Sequence, residues 1–217
     1  YQDRDAFQDV THVRMPLLYA VLEADLGQAT TLMLGARRQE NKVDGYTVFG
    51  LPRYRDSRAL DVPRSTSMAQ DWNRHGASAN NVFAELAHRL GGDWKARVAL
   101  NYNDGGYEQK LGITRGAVDP VTLRGASLYT RYFKELDAET TGIDASVSGS
   151  FQAWGGTHRM MAGASWSTLR QDAATANVAG SAPIDVFNIN HQALPEPPKP
   201  AWTADSTVSD DQYGAYA

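Results

Sequence analysis

Five histidines, His12, His75, His88, His158 and His191, are the residues whose type first suggests metal binding or proton transfer. Their spacing supports neither, because none falls at the intervals that a zinc-binding helix or finger requires. The chain has no cysteine, which excludes a thiolate ligand, a disulfide frame and a cysteine nucleophile. A Gly-x-Ser-x-Gly turn, which would expose a catalytic serine, is absent, and no glycine-rich phosphate loop precedes a helix. Carboxylate neighbours such as Asp3 with Asp5 and Asp210 with Asp211 fall in strand ends or loops, where solvated charge is their ordinary role. No metal site and no catalytic residue is expected.

The 217 residues carry a formal net charge of −4, with lysine and arginine scattered, so the basic field that nucleic acid requires is missing. No stretch approaches the roughly 20 consecutive apolar residues of a membrane-spanning helix. A transmembrane β-barrel would escape that test, because its strands alternate lipid-facing with lumen-facing residues and dilute their own hydropathy.

Alternation of this kind recurs. Leu18, Ala20, Leu22, Ala24 and Leu26 share one parity with Glu23 and Asp25 on the other, and after a short break Leu32, Leu34 and Ala36 oppose Thr31, Gly35, Arg37 and Gln39. Val82, Ala84, Leu86 and Leu90 form a further apolar parity, with His88 as its exception. Trp94, Ala96, Val98, Leu100 and Tyr102 then face away from Lys95, Arg97, Asn101 and Asn103. Ile143, Ala145, Val147 and Phe151, and later Met160, Ala162, Ala164 and Trp166, continue the pattern.

Connections alternate between short and long. Turns near residues 27, 92 and 154 are tight, whereas 41–80, 115–126 and 172–211 read as extended loops rich in Gly, Pro, Ser and charge. Outer-membrane barrels show this asymmetry, with short periplasmic turns and long extracellular loops. Trp94, Phe151 and Trp154 lie near the tight turns, with Tyr102 and Trp166 toward the other side, as interfacial aromatics would. The expected fold is all-β: an antiparallel transmembrane β-barrel fragment. Residues 1–7 and 212–217 read as strand pieces without their partners.

Several segments resemble TonB-dependent siderophore receptors: Asp3-Arg4-Asp5-Ala6-Phe7, the run Tyr19 to Leu26 followed by Thr30-Thr31-Leu32, and Gly50-Leu51-Pro52-Arg53-Tyr54. Leu60 to Ser67, Asp71-Trp72-Asn73-Arg74, Phe83 to Leu90, and Gly155 to Arg159 running into Met160-Met161-Ala162-Gly163 extend the likeness in order along the chain. The resemblance implies that 1–217 is part of the β-barrel domain, about eight strands of a barrel of about 22, without the plug domain. It further implies an outer-membrane receptor that binds ferric siderophores and imports them with TonB-coupled energy, the TonB complex acting through an N-terminal region outside this chain.

Under that resemblance the iron arrives inside its chelator's oxygen ligands, so the protein needs no resident cofactor and supplies shape, aromatic surface and hydrogen-bond donors. Tyr54, Trp72 and Tyr107 are the first candidates for ligand contact, followed by Tyr129 and Arg131. Each could instead pack one loop against another. Remaining alternatives are another outer-membrane barrel, either a passive porin or an embedded enzyme, and a soluble β-barrel or sandwich binding module with the apolar face turned inward.

Overall fold

Antiparallel pairing carries the described residues through ten strands. A computed structural model describes residues 1–178, 181–199 and 201–217, with the side chains of 129–132 left aside. The strands are β1 (Gln2–Asp5), β2 (His12–Met15), β3 (Leu17–Asp25), β4 (Thr30–Asp44), β5 (Arg74–Gly91), β6 (Trp94–Arg115), β7 (Ser127–Ala153), β8 (Gly156–Val178), β9 (Ala182–Pro183) and β10 (Ala204–Tyr216). They form one sheet in the order β1-β2-β4-β5-β6-β7-β8-β10, with β3 also on β4 and β9 also on β7. Strands β2 and β3 are one passage of chain interrupted at Pro16, which lacks the N–H that a ladder needs. Among the described residues no helix is long and apolar enough to cross a membrane.

Directly opposed residues share a face, so the register sorts side chains without ambiguity. One row runs Ala24, Leu32, Leu86, Val98, Ala145, Ala164, Ala215, and the row above it runs Leu22, Leu34, Ala84, Leu100, Ile143, Trp166, Tyr213. Higher still come Ala36, Val82, Tyr102 and Thr141, and below come Thr30, His88, Ala96, Val147 and Ala162, then Trp94 with Gly149 and Met160. Five rows at about 6.8 Å spacing reach about 27 Å along the strands, or about 21 Å across a membrane at the usual tilt. No second layer covers this face: Leu22 is 63% exposed and Val98 46% exposed. The next row on the same parity, Arg38, Asn80, Asp104, Glu139 and Arg170, ends the apolar band with charge.

The opposite face is polar. Arg97 reaches Glu85 at 2.7 Å and Asp144 at 3.2 Å, and the Tyr216 hydroxyl donates to Asp144 at 2.9 Å. Asn81 donates to Asn101 and Asn103 across β5 and β6. Aromatic rings lie over glycines on neighbouring strands: Phe83 over Gly35, Tyr216 over Gly163, and, on the apolar face, Trp94 over Gly149. A Cβ at Gly35 would sit 2.0 Å from the Phe83 ring, so each glycine is required by its partner. His88, the polar exception on the apolar parity, pairs its Nδ1 with Thr30 Oγ1 at 2.7 Å within its own row.

Several sequence expectations shift. Strands run further than alternation suggested, so the long connections shrink to 45–73, 116–126 and, after β9, the described residues 184–199 and 201–203. The two termini are paired rather than partnerless, β1 on β2 and β10 on β8, each along one edge. Trp166 lies one row deeper in the apolar band than Tyr102, opposite Ile143.

Candidate ligand-binding region

Above the apolar band the strands continue into water, and both faces turn polar. On the face continuous with the polar interior, Val43, His75, Gln109 and Lys134 form one row, with Asn41, Ala77, Tyr107 and Leu136 just below. His75 sits between two rings, 4.9 Å from Tyr46 and 5.9 Å from Tyr107. Gln109 Nε2 lies 3.2 Å from His75 Nδ1, and since an amide nitrogen only donates, Nδ1 accepts and the imidazole proton sits on Nε2. Lys134 Nζ stands 5.3 Å from the Tyr107 ring centre. Burial holds the His75 pKa below its ordinary 6.5. Rings, a neutral imidazole and a cation on one inward face suit stacking on a planar anionic ligand.

The other face at this height behaves differently. Gly76, Gly105 and Gly106 leave a recess of about 490 Å³ bounded by Glu40, Asp104, Glu108, Glu135 and Asp137, with Lys42 as the counter-charge. A Cβ at Gly105 would fall 2.5 Å from Ser78 O, so close strand approach dictates the bare backbone. Such an acidic recess repels an anionic chelate, which turns attention to the inner face and the loops.

The three long connections are not separate flaps. Met68, Val118, Ala126, Leu128, Ile184 and Val186 form a shared buried core, against which Tyr54, Leu60, Ile189 and Leu194 pack. A small hairpin at 53–59 is fastened to the β6–β7 loop by Arg55 N–H to Val118 O and Val118 N–H to Arg53 O, both 2.9 Å. Between 69–73 and 190–194 the hydrogen bonds are dense: Asp71 N–H to His191 O, Leu194 N–H to Gln70 Oε1, Gln192 to Asp71, and His191 Nδ1 with Ala69 O. Lys110 to Glu196 and Lys199 to Glu135 clip the last loop to the strands.

The structure does not bring the five sequence candidates into one site. Tyr54 is half-buried on the loop core, with Arg58 5.3 Å over its ring. Trp72 is only 6% exposed and donates its indole N–H to Leu194 O, so its ring is committed to loop packing. Tyr107 stands on β6 beside His75 rather than in a loop. Tyr129 and Arg131 fall on β7, but their side chains lie outside the described residues. Tyr46, His75, Gln109 and Lys134 were not among the candidates. Lack of metal spacing set His75 aside, and only the strand register reveals its aromatic neighbours. Among the described residues no group of three His, Cys, Asp or Glu is placed to hold a metal ion.

No family model matches the chain. The ferric-pyoverdine receptor PbuA of a Pseudomonas species is 30% identical over 223 residues, spanning 100% of this chain and 27% of that receptor. The ferripyoverdine receptor of Pseudomonas aeruginosa is 30% identical over 172 residues, covering 77% of this chain and 20% of the receptor. A crystal structure of the Pseudomonas aeruginosa ferripyoverdine receptor bound to ferripyoverdine superposes with a TM-score of 0.86 at 22% identity, over 99% of this chain and 29% of that one. This chain belongs to the TonB-dependent siderophore receptors. It spans about a quarter of the length of the curated relatives. The ferric preacinetobactin receptor of Acinetobacter baumannii shares the same strand arrangement, TM-score 0.73 at 18% identity over 98% of this chain and 32% of that receptor. For a TonB-dependent receptor barrel the exposed apolar band is the lipid face, and the outer membrane is its setting.

Proposed function

We propose that the receptor containing this barrel segment binds a ferric siderophore of the pyoverdine class at its outer face and imports it with energy from the TonB complex. One observation carries the reading: likeness to a ferric-pyoverdine receptor extends over the whole chain, loops included, at 30% identity. Iron is cargo held by its chelator, and the protein keeps no cofactor of its own. Outer-membrane lipid is its solvent and nucleic acid is no partner. The residues of this segment recognise and position rather than make bonds, so the protein is a transporter and not an enzyme.

The inner-face cluster of His75 and Tyr107 and the loop residue Tyr54 offer stacking surface and directed donors to a planar chelate. Tyr129 and Arg131 lie further up the neighbouring strand, Arg131 opposite Gly112, and are proposed as additional ligand contacts above the His75 and Tyr107 cluster. Trp72 serves this site at one remove, by holding two loops in register.

Equilibrium binding of ferric and iron-free pyoverdine to the purified full-length receptor tests the proposal. Saturable binding that weakens in Tyr107→Ala and Tyr54→Ala supports it; wild-type affinity in both variants removes these two residues from the site.

A further inference from the structure

Above the acidic recess of the outward face lies a second recess of opposite character. Its volume is about 260 Å³, and Arg14, Lys42, Arg74 and Lys110 outnumber the carboxylates of Asp44 and Glu108 around it. Gly76 borders both recesses, and a Cβ there would meet nothing within 4 Å, so the space is open rather than a product of close strand packing. Register fixes the height. Lys42, Gly76 and Glu108 lie opposite one another with Arg14 beside Lys42, and Asp44, Arg74 and Lys110 form the next row up. These rows keep the parity of Ala36 and Val82, where the apolar band ends, and stand above it by about 15–20 Å at the usual strand rise and tilt. Sugars and phosphates of outer-leaflet glycolipid rise to that height above the acyl chains.

The recess already draws an anion from afar. Glu196, 86 residues along the chain from Lys110, pairs with that ammonium, and Lys110, with Arg74 adding to it, holds the Glu196 carboxyl below its ordinary range. Arg14 meets Asp44 at 2.9 Å, Arg74 meets the same carboxylate at 3.6 Å, and Lys42 meets Glu40 at 2.7 Å. Each guanidinium carries five N–H donors, so one carboxylate contact leaves donors for a second acceptor. We propose that this recess binds a phosphate on the sugar headgroup of an outer-leaflet glycolipid, in exchange for Glu196. Arginine forks match phosphate oxygens. The acidic recess below, bounded by Glu40, Asp104, Glu135 and Asp137, accepts hydrogen bonds from the sugar hydroxyls. A saccharide with phosphate on it suits both recesses, whereas a bare anion suits only the upper one. The outward parity selects lipid over the siderophore, which the opposite face receives.

Native mass spectrometry of the full-length receptor in an uncharged polyoxyethylene detergent tests this. The receptor is titrated with lipopolysaccharide truncated after its phosphorylated inner core, with the same material stripped of phosphate by hydrofluoric acid, and with inorganic phosphate alone. Saturable binding of the phosphorylated lipid is expected, weakened about 10-fold in Arg74→Ala by loss of one charge-assisted contact. Gly76→Val keeps every charge, suits a strand and fills the recess, so it should weaken binding at least as much. Glu196→Gln removes the competing carboxylate and should tighten binding. A heat-modifiability gel confirms the fold of each variant, and Gly76→Val carries the test if Arg74→Ala does not fold. Wild-type affinity in Gly76→Val, or equal binding of the stripped lipid, overturns the proposal by reducing the attraction to unspecific contact. Inorganic phosphate binding as tightly as the lipid would make this a free-phosphate site and overturn the lipid assignment. None of these readouts depends on siderophore binding, so failure here leaves the transport proposal standing.

Discussion

The indole N–H of Trp72 donates to the carbonyl of Leu194 at 2.8 Å, joining the β4–β5 loop to the β8–β10 loop across the top of the sheet. With Gln70 and His191 beside it, this contact makes one body of two loops that the chain separates widely.

Replacing Trp72 by Ala should therefore act through loop order. Truncating a buried aromatic costs about 3–5 kcal/mol in a core, and here the loss falls on the loop assembly, since the strands below keep their own ladder. Limited proteolysis of ligand-free receptor should cut 45–73 and 179–203 faster in the variant, while heat-modifiability on gels shows an intact barrel. Wild-type protection in the Trp72→Ala loops would remove the residue from this role.

Gly35 and Phe83 make a second pair with a definite expectation. A methyl at Gly35 collides with the Phe83 ring, which must shift to admit it, so Gly35→Ala should cost about 1–3 kcal/mol. Adding Phe83→Ala opens the space, and the double variant should lose less than the sum of the singles. Urea unfolding in vesicles measures both; strict additivity would show that the ring does not depend on the glycine.

How far this was legible in sequence depends on what each residue faces. Leu32, Leu34, Val98 and Leu100 alternate because lipid lies on one side and water on the other, and that contrast made the band readable. Above the band both faces meet water, so Asn41 to Asp44 and Arg74 to Asn80 lose their period and read as loop although they are paired strand. Strand β10 reads as loop for the same reason in its Ser- and Asp-rich first half. The Trp72–Leu194 clasp and the His75–Tyr107 neighbourhood arise from register and long-range folding, which no local pattern encodes.

Sidedness can be tested at adjacent rows. Val98→Arg places a charge near the middle of the lipid face and should cost about 2–4 kcal/mol. Asn101→Arg, on the polar face of the same strand, should lie within about 0.5 kcal/mol of wild type. Equal penalties at both positions would contradict the assignment of faces.

Acid should loosen the His75 cluster. Burial lowers the folded-state pKa of this histidine, so the unfolded state binds the proton more readily, and the stability tied to the neutral ring is present above 6.5 and fades as pH falls below it. The urea midpoint of wild-type receptor should therefore fall between about pH 7 and about pH 5, with a flatter profile in His75→Gln. Superimposable profiles would show that burial of His75 carries no pH-dependent stability.

Uptake of radiolabelled iron as ferric pyoverdine, by cells whose sole pyoverdine receptor is the full-length protein, tests the central claim most directly. Saturable accumulation that stops when the proton-motive force is collapsed or TonB is deleted is the predicted result. Accumulation that is non-saturable and indifferent to both, as through a passive pore, would contradict it.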